Sequence, residues 1–506
     1  MLAASPSVLL SPHLRLHASA HGTGVVTASH VGEGDILVRV PASLCVTARL
    51  AYATPILGPL LSRSATEPHV AIAAWLMHAV ELEPEMHAPW LRLMPSSFDC
   101  TISWSQDELS WLQNSPARVR ASSLRRWATE EWERLFSSSS YDLGFNTSLA
   151  RFDWALCAVW SRSFQYRCGS ADCDAQPGAS GGQWRVLAPI ADMFNHAAKG
   201  ASSARLELRA HDAMPERWHS KGSGSQMVEP SRWRWSAAEE EAMGEGGEEA
   251  FLLRASRPLE RDEQVNLDYG PRANAEMLTT HGFAVSDNAH EWYGLLFSPH
   301  PSALMPLMPS SLPSLLPRHI STLFSGRKWP HHACLSIDST DGPAPSQELG
   351  ISLAPSEEDE LAPIKARILA AGNISSPFSL SVGALRSDSD LLVALRVLVA
   401  TPTELKQYAS AFDGQPLSSN NERRWKKMLK ARVSVMMTEA QEQTDIAEDE
   451  ALLKRDSDAA HSQPAVSNSR LTFRQRMAVV TRLEEKRLLR DVLQELEHFR
   501  IGVEAT

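Results

Sequence analysis

Two short polar motifs, each placed at the end of an apolar run, constrain this sequence more than any other feature. The first, at residues 191–196, reads Ala-Asp-Met-Phe-Asn-His and follows the apolar run 186–190. The second, at residues 266–271, reads Asn-Leu-Asp-Tyr-Gly-Pro and closes another strand-like run about seventy residues later. Asn and His side chains can hold a ligand by hydrogen bonds, and a Tyr phenol can polarise a nucleophile. The two motifs are therefore candidates for one shared site.

A structural role explains the same residues without a ligand. A histidine that follows a strand is commonly a hydrogen-bonded structural group, and a Tyr-Gly pair often marks only the end of a strand and a turn. The spacing of Asp192, Asn195, His196 and Tyr269 leaves both interpretations open.

Length and composition exclude several classes of protein. The 506 residues allow about two to four domains with large cores. The net charge of −11 gives no overall attraction to nucleic acid or to anionic lipid, so neither is an expected partner. No apolar run reaches the roughly 18 to 20 residues that a membrane-spanning helix needs, so no membrane partner is expected either.

Cysteine usage and the first residues bear on the compartment. The six cysteines are too few and too scattered for a disulfide scaffold, which favours a reducing compartment. Cys168 and Cys173 lack a second Cys or His pair at zinc spacing, so no metal site is predicted. The first 20 residues contain no acidic residue and include Arg15, which is also compatible with a transit peptide.

The chain changes character along its length. Residues 25–27 and 36–40 are predicted strands, and Gly-Glu-Gly-Asp at 32–35 suggests that they form a hairpin. Residues 67–159 are predicted to be helical and rich in packing tryptophans. Strand character returns at 186–190, 205–209 and 251–256, and a low-complexity insertion is predicted at about 200–250.

The last part of the sequence is predicted to be helical. Residues 299–317 are rich in Pro, Ser and Leu and indicate a linker, and residues 455–470 indicate a polar loop. Apolar spacing near 3.6 residues predicts five helices, at 364–371, 390–400, 422–440, 445–454 and 473–498.

Several segments resemble, in their order along the chain, the successive motifs of a SET-domain methyltransferase. They are 22–27 with its Gly-Thr-Gly turn, 34–41, 161–164 (Ser-Arg-Ser-Phe), 187–196 and 262–283. Residues 90–99 and the C-terminal segments 391–396, 445–450 and 474–489 are similar to the Rubisco large-subunit lysine methyltransferase group. The zinc cysteines that follow the SET domain in histone-modifying enzymes are absent from the sequence.

The resemblance implies an α+β fold. Residues 1–295 would form a β-rich, knotted SET domain that is split by a helical insertion at about 66–160. Residues 296–360 would be a linker or irregular segment, and 361–506 an all-α substrate-binding domain.

The resemblance also implies S-adenosyl-L-methionine as the cofactor and transfer of a methyl group to a protein lysine. Tyr269 would be the catalytic residue. Arg162 would meet the cofactor's carboxylate, while Asn195 and His196 would hold its ammonium and adenine ends. The full set of implied cofactor-binding residues is Gly22, Gly24, Arg162, Asp192, Asn195, His196, Tyr269 and Phe283.

The implied substrate channel bears on the choice between lysine and histidine. Its residues would be Phe164, Ala191, His281 and Phe283. The resemblance places Phe164 and Ala191 at positions where a histidine-methylating relative has Asn and Trp. They therefore favour lysine as the methylated residue, with histidine as the alternative. His281 stands where lysine-methylating relatives commonly have Tyr, which leaves the degree of methylation open.

Partners and compartment follow from these expectations. The partner would be a protein substrate, without nucleic acid, membrane or metal, and the chain would be a monomer in the cytoplasm or nucleus, with the plastid as an alternative. A competing hypothesis is a catalytically weak docking protein. The basic stretch 423–432 fits a nucleic-acid contact less well than a solvated amphipathic helix.

Overall fold

The computed structural model describes residues 9–19, 22–64, 66–82, 86–137, 143–167, 183–197, 201–209, 250–295, 361–374, 378–386, 389–461 and 470–499. Their strands are β1 (Leu9–Leu10), β2 (Leu14–Ser19), β3 (Gly22–Thr27), β4 (Ile36–Pro41), β5 (Val46–Thr47), β6 (Phe164–Arg167), β7 (Gln183–Leu187), β8 (Asn195–His196), β9 (Ala204–Arg209), β10 (Ala250–Ala255), β11 (Asn266–Leu267), β12 (Tyr293–Leu295) and β13 (Phe378–Leu380).

Helices fill the middle and the C-terminal part of the described chain. They are α1 (Ala48–Ala53), α2 (Gly58–Arg63), α3 (Pro68–Leu82), α4 (Ala88–Leu91), α5 (Gln106–Ser110), α6 (Pro116–Trp132), α7 (Leu149–Arg162), α8 (Asn274–His281), α9 (Ala362–Ala371), α10 (Val382–Arg386), α11 (Asp390–Leu398), α12 (Pro402–Leu405), α13 (Tyr408–Phe412), α14 (Ser419–Ala440), α15 (Ile446–His461) and α16 (Phe473–His498). Short 3₁₀ turns lie at Ala42–Leu44, Thr101–Ser103 and Ala191–Met193, and a π-helical turn at Glu133–Ser137 extends α6. The α+β fold class is thereby confirmed.

The predicted hairpin around residues 32–35 is wrong. β3 pairs with β2 instead, from Leu14 opposite Thr27 to Ser19 opposite Gly22. β4 lies inside a four-stranded sheet of order β1-β4-β10-β9. Five of its six residues are buried, so β4 packs inside the protein and has a partner strand along each edge. The edge of β3 instead meets the chain at residues 262–265, where Val26 and Gln264 form an isolated antiparallel bridge.

The two polar motifs meet in a short parallel strand pair. β8 pairs with β11, with Asn195 opposite Asn266 and His196 opposite Leu267. The amide of Ala197 also donates to the carbonyl of Leu267 at 2.8 Å. A parallel pair cannot be closed by a tight turn, because the chain must return to the same end of the strand. The long stretch between the motifs supplies that connection.

A helix buried on all sides supports this region. Ten of the fifteen residues of α3 are buried, which is typical of a helix that runs through a core and not along a surface. It packs against α7, whose N-cap Ser148 accepts a hydrogen bond from the amide of Arg151. The C-terminal end of α7 places Arg162 beside the 191–196 motif.

The five predicted C-terminal helices are present, and the described part of the chain adds the short helices α10, α12 and α13. The helix predicted at 445–454 continues to His461, so the predicted polar loop is wrong over 455–461. The reason is Asp456, which is buried and accepts hydrogen bonds from Arg476 and from the amide of Leu471. In addition to the helices, β13 pairs with β12, antiparallel, from Tyr293 opposite Leu380 to Leu295 opposite Phe378.

Some predictions concern residues outside the described ranges. They are the greater part of the insertion, 210–249, the segment 296–360, and the cysteine positions 168, 173 and 334. Within the predicted insertion, β9 pairs with β10 from Ala204 opposite Ala255 to Arg209 opposite Ala250.

Buried charges join the C-terminal helices to the helical part of the N-terminal half. Asp449 accepts from Arg482 at 2.6 Å and from Lys486 at 2.7 Å, and all three side chains are buried. Arg482 also donates to the carbonyl of Trp111 at 2.5 Å. A buried ion pair contributes to stability when the other N–H donors of its cations are also hydrogen-bonded, as those of Arg482 and Lys486 are here.

Glu485 lies in the same contact and makes the stability of the fold depend on pH. Its carboxylate accepts from Ser115 Oγ at 2.9 Å, and burial raises its pKa to about 8. A carboxyl whose pKa is raised in the folded state binds a proton more tightly there than in the unfolded chain. Its contribution to stability therefore falls as pH rises from about 4.5 to about 8.

We predict that Glu485→Gln stabilises the protein in alkaline solution. The neutral amide keeps a hydrogen-bonding group without a buried charge. The gain in the free energy of unfolding should be roughly 1–3 kcal/mol at about pH 9 and smaller at about pH 6. Urea denaturation at the two pH values measures it. Glu130→Gln, on the exposed side of α6, is the control, and equal effects of both variants would contradict the prediction.

Candidate functional site

The 191–196 motif begins at a strained residue. Ile190 has φ of +72° and ψ of −45°, and a positive φ is unfavourable for a β-branched side chain. The turn that follows is held by hydrogen bonds from Asp192 N to Ala188 O at 3.1 Å and from Met193 N to Ile190 O at 3.0 Å. The strained turn directs the chain from β7 into β8.

A buried carboxylate holds the arginine of the site. Arg162 Nη1 donates to Asp192 Oδ2 at 3.1 Å and to the Asp192 carbonyl at 3.2 Å. Trp90 Nε1 donates to the other carboxylate oxygen, Oδ1, at 3.1 Å. The guanidinium of Arg162 also lies over the ring of Phe98, 5.8 Å from its centroid. Both oxygens of Asp192 thus have protein donors, and Arg162 is fixed from two sides.

Burial and the neighbouring charges act in opposite directions on Asp192. Burial raises the pKa of this carboxyl, while the Arg162 guanidinium and the Trp90 N–H oppose the shift. The Nε atom of Arg162 is buried and, among the described residues, has no hydrogen-bond partner. One donor of the guanidinium therefore remains for a ligand.

The tyrosine of the second motif bonds back to the first. Its hydroxyl donates to the carbonyl of Phe194 at 2.7 Å, and its amide donates to His196 Nδ1 at 3.1 Å. Burial raises the pKa of Tyr269 to about 12, so the phenol stays protonated at neutral pH. Burial also disfavours the charged form of His196. It therefore lowers the pKa of this residue and favours the neutral imidazole.

Four rings cluster around the tyrosine. The ring centroid of Tyr269 lies 5.1 Å from that of His196, 5.4 Å from that of His281 and 6.4 Å from that of Phe283. Phe283 also lies 5.9 Å from His196. The cluster forms an apolar wall next to the β8–β11 pair.

Two glycines allow the segments around the site to approach each other. A Cβ at Gly24 would lie 2.6 Å from Asn195 Nδ2, so a side chain there would displace the amide of Asn195. Gly282 has φ of +82°, and a Cβ there would lie 2.6 Å from the carbonyl carbon of Asp99. Gly22 begins β3, two residues before the contact with Asn195.

A small cavity of about 60 Å³ lies between these segments. Its size suits a narrow side chain and not a whole cofactor. It is lined by Ser161, Arg162, Ser163, Phe164, Ala191, Asp192, Phe194, Leu206, Leu267, Asp268, Tyr269, Arg272 and His281. Of the predicted channel residues, Phe164, Ala191 and His281 line the cavity, whereas Phe283 is part of the ring cluster beside it.

Sequence analysis assigned no role in the site to three residues. Trp90 was interpreted as a packing residue, yet it donates to Asp192. Phe98 was noted only in a motif of the resemblance, yet it contacts Arg162. Arg272 follows the Tyr-Gly-Pro motif directly, lines the cavity, and donates from Nε to the Tyr269 carbonyl at 3.0 Å. Its place next to the motif was the available signal.

Within the described ranges, no group of three or more His, Cys, Asp or Glu side chains is placed to hold a metal ion. None of the helices in the described part of the chain is long and apolar enough to cross a membrane.

Comparisons with known proteins agree with the resemblance. Residues 356–489 match the family described as Rubisco LSMT substrate-binding. An aldolase-lysine N-methyltransferase of Arabidopsis thaliana, named as chloroplastic, is 26% identical over 279 residues, which is 54% of this chain and 48% of the relative. The human actin-histidine N-methyltransferase is 22% identical over 492 residues, covering 92% of this chain and 62% of the relative. The chain spans about half the length of the first of these relatives.

Solved structures with the same fold carry ligands. The SET domain of LSMT bound to lysine and AdoHcy has a TM-score of 0.63 at 18% identity, over 98% of this chain and 89% of that chain. Rubisco LSMT bound to AdoMet has a TM-score of 0.60 at 17% identity, over 98% and 90% of the two chains. The resemblance to the Rubisco LSMT group and its fold is confirmed.

We predict that replacing Arg162 lowers the stability of the protein, because the buried charge of Asp192 is then left without its cation. Arg162→Met should lower the free energy of unfolding by roughly 3–5 kcal/mol at about pH 7.5, because a buried carboxylate loses its cation. The loss should shrink at about pH 5, where Asp192 can take up a proton. Denaturant titration measures both values.

The double variant Arg162→Met/Asp192→Asn is the matched control for this prediction. It removes both charges, so it should recover much of the lost stability. A double variant no more stable than Arg162→Met would show that the ion pair is not the cause.

Proposed function

We propose that this protein is an S-adenosyl-L-methionine-dependent protein-lysine N-methyltransferase acting on a non-histone protein. The observation that carries the proposal is the joining of the two motifs at one cavity, with Tyr269 bonded to Phe194 and His196 beside the Arg162–Asp192 pair. The names of the relatives and the ligands in the similar structures support the same activity.

The residues around the cavity fit this cofactor. The unpartnered Nε of Arg162 suits a carboxylate, which a guanidinium binds through paired N–H groups. The close approach of Gly24 to Asn195 brings backbone next to a side-chain amide. The oxygen of that amide is an acceptor of the kind that an ammonium group needs. The ring of Phe283 beside His196 offers a flat apolar surface for an adenine. In this proposal Asp192 orients Arg162, since its own oxygens already have protein donors.

The protein would contribute alignment and electrostatics to the reaction. When bound, the cofactor would supply a sulfonium methyl group. Phe164, Phe194 and Leu267 give part of the cavity an apolar lining. Apolar surroundings lower the pKa of a lysine ammonium and favour the neutral amine. The Tyr269 hydroxyl gives its hydrogen to Phe194, so its oxygen can accept one from that amine.

Lysine is favoured over histidine by the shape of the cavity. Phe164 provides an apolar wall and Ala191 leaves space for a long aliphatic chain. Protein-histidine methylation remains the second candidate, because the alignment with the actin-histidine N-methyltransferase covers 92% of this chain. Mass spectrometry of the methylated residue decides between them.

The helical C-terminal part would dock the protein substrate, in agreement with its match to the substrate-binding family. The proposed location is the cytoplasm or nucleus, with the plastid supported by the names of two chloroplastic relatives. The monomeric state remains a prediction, as do the domain boundaries at 295 and 361.

We predict that Tyr269→Phe abolishes methyl transfer and retains cofactor binding. The variant keeps the ring and loses only the hydroxyl, so transfer of labelled methyl groups into proteins of a cell extract should fall by roughly 100-fold or more. The affinity for S-adenosyl-L-methionine, measured by calorimetry, should change by less than about threefold.

Tyr52→Phe is the matched control for this experiment. Tyr52 also donates its hydroxyl to a backbone carbonyl, that of Thr66, but it does not line the cavity. Full activity of Tyr269→Phe would contradict the assigned role. Cofactor binding by the wild type without any transfer would instead favour the docking-protein hypothesis.

A further inference from the structure

The hydrogen-bond chain behind His281 fixes which of its ring nitrogens carries the proton. Thr280 Oγ1 lies 2.7 Å from the carbonyl of Glu276 and 2.7 Å from His281 Nδ1. A carbonyl oxygen only accepts, so the single hydroxyl proton of Thr280 goes to Glu276. Thr280 Oγ1 must then accept from His281, which places the proton on Nδ1. In the neutral imidazole, Nε2 keeps its lone pair.

The surroundings keep this imidazole neutral. Burial lowers the pKa of His281 well below its ordinary value, and the charges of Arg272 and Arg185 lower it further. The acidic groups near the cavity do not compensate. Asp192 is paired with Arg162, and Asp268 accepts from the amide of Gly270 at 2.8 Å.

A third acidic residue, Glu276, lies on the same helix as His281. Burial raises the pKa of Glu276, which favours its protonated form. It therefore does not offer the imidazole a full counter-charge, and His281 stays a hydrogen-bond acceptor and not a cation.

Two acceptors consequently face one cavity. His281 lines it, and no group of the described residues bonds its Nε2. The Tyr269 ring lies 5.4 Å away, and its oxygen also accepts, because its hydrogen goes to Phe194. A neutral primary amine has two N–H donors and one lone pair, so its donors match these two acceptors.

We propose that His281 Nε2 and the Tyr269 oxygen each accept one N–H of the substrate lysine amine and so aim its lone pair at the methyl group. This inference rests on the proposed function. The lysine ammonium first releases one proton to solvent. The amine then forms the N–C bond, and the electron pair of the broken S–C bond remains on sulfur. His281 neither gives nor takes up a proton in this step; it orients the nucleophile.

The arrangement disfavours a second transfer. A monomethylated amine has one N–H fewer, so one of the two buried acceptors loses its donor when that amine returns to the cavity. The expected main product of the wild type is therefore monomethyl-lysine.

Two substitutions at position 281 separate hydrogen bonding from shape. His281→Phe keeps a ring and removes the acceptor, so the rate of the first transfer should fall by roughly 10- to 100-fold. The ratio of dimethyl- to monomethyl-lysine should rise in the same variant, because only one acceptor remains to be satisfied. His281→Gln places an amide oxygen near the position of Nε2 and should stay within about threefold of the wild-type rate. Equal losses in both variants, without a change in product ratio, would overturn the proposal.

The tautomer can be measured without any activity. A long-range ¹H–¹⁵N spectrum of the cofactor-free protein at neutral pH should show His281 protonated on Nδ1 and bare on Nε2. Thr280→Val removes the acceptor of Nδ1 and should shift this signal, while Thr280→Ser should preserve it. A proton on Nε2, or a charged ring, would overturn the inference whatever the enzyme does. Absence of methyl transfer by the wild type, with the expected tautomer present, would instead count against the proposed function and against the acceptor role that rests on it.

Discussion

The parallel pairing of β8 with β11 is the constraint on which the site depends. These strands have two residues each, yet they place Asn195 opposite Asn266 and bring together two motifs about seventy residues apart. Isolated strands of this length are not stable, so the pairing has to be supported from outside. Support comes from Ser203, whose side chain accepts from the amide of Asn266 at 2.8 Å, and from the bond of Tyr269 to Phe194.

Electrostatics of the buried groups then determine what the cavity can bind. Arg162 and Asp192 neutralise each other, so the pair adds little net charge to the cavity. Burial keeps Tyr269 protonated and His196 and His281 neutral. The phenol and the two neutral imidazoles offer hydrogen bonds without a full charge, which suits a neutral nitrogen nucleophile.

The C-terminal helices are connected to the cavity through a short segment. Arg474 at the start of α16 donates to Asp99 at 2.8 Å and to Glu108 at 3.2 Å. The backbone of Asp99 packs against Gly282, and the neighbouring Phe98 lies under Arg162. The C-terminal helices and the cavity are therefore connected through the same short segment, which contacts Arg474 on one side and Arg162 and Gly282 on the other.

The sequence by itself determined most element types and indicated the candidate site residues that lie in its motifs. Periodicity located α16 to the residue, and the order of motifs indicated the fold and most residues around Tyr269. The tertiary structure decided the strand neighbours, helix ends and side-chain contacts that depend on residues far apart in the sequence. β4 takes β1 and β10 as neighbours because it is buried, and not the nearby strand that a turn signal suggested. Residues 455–461 are helical because Asp456 pairs with Arg476. Trp90 belongs to the site because folding places Asp192, about a hundred residues away in the sequence, beside it, and spacing along the chain carries no record of such a contact.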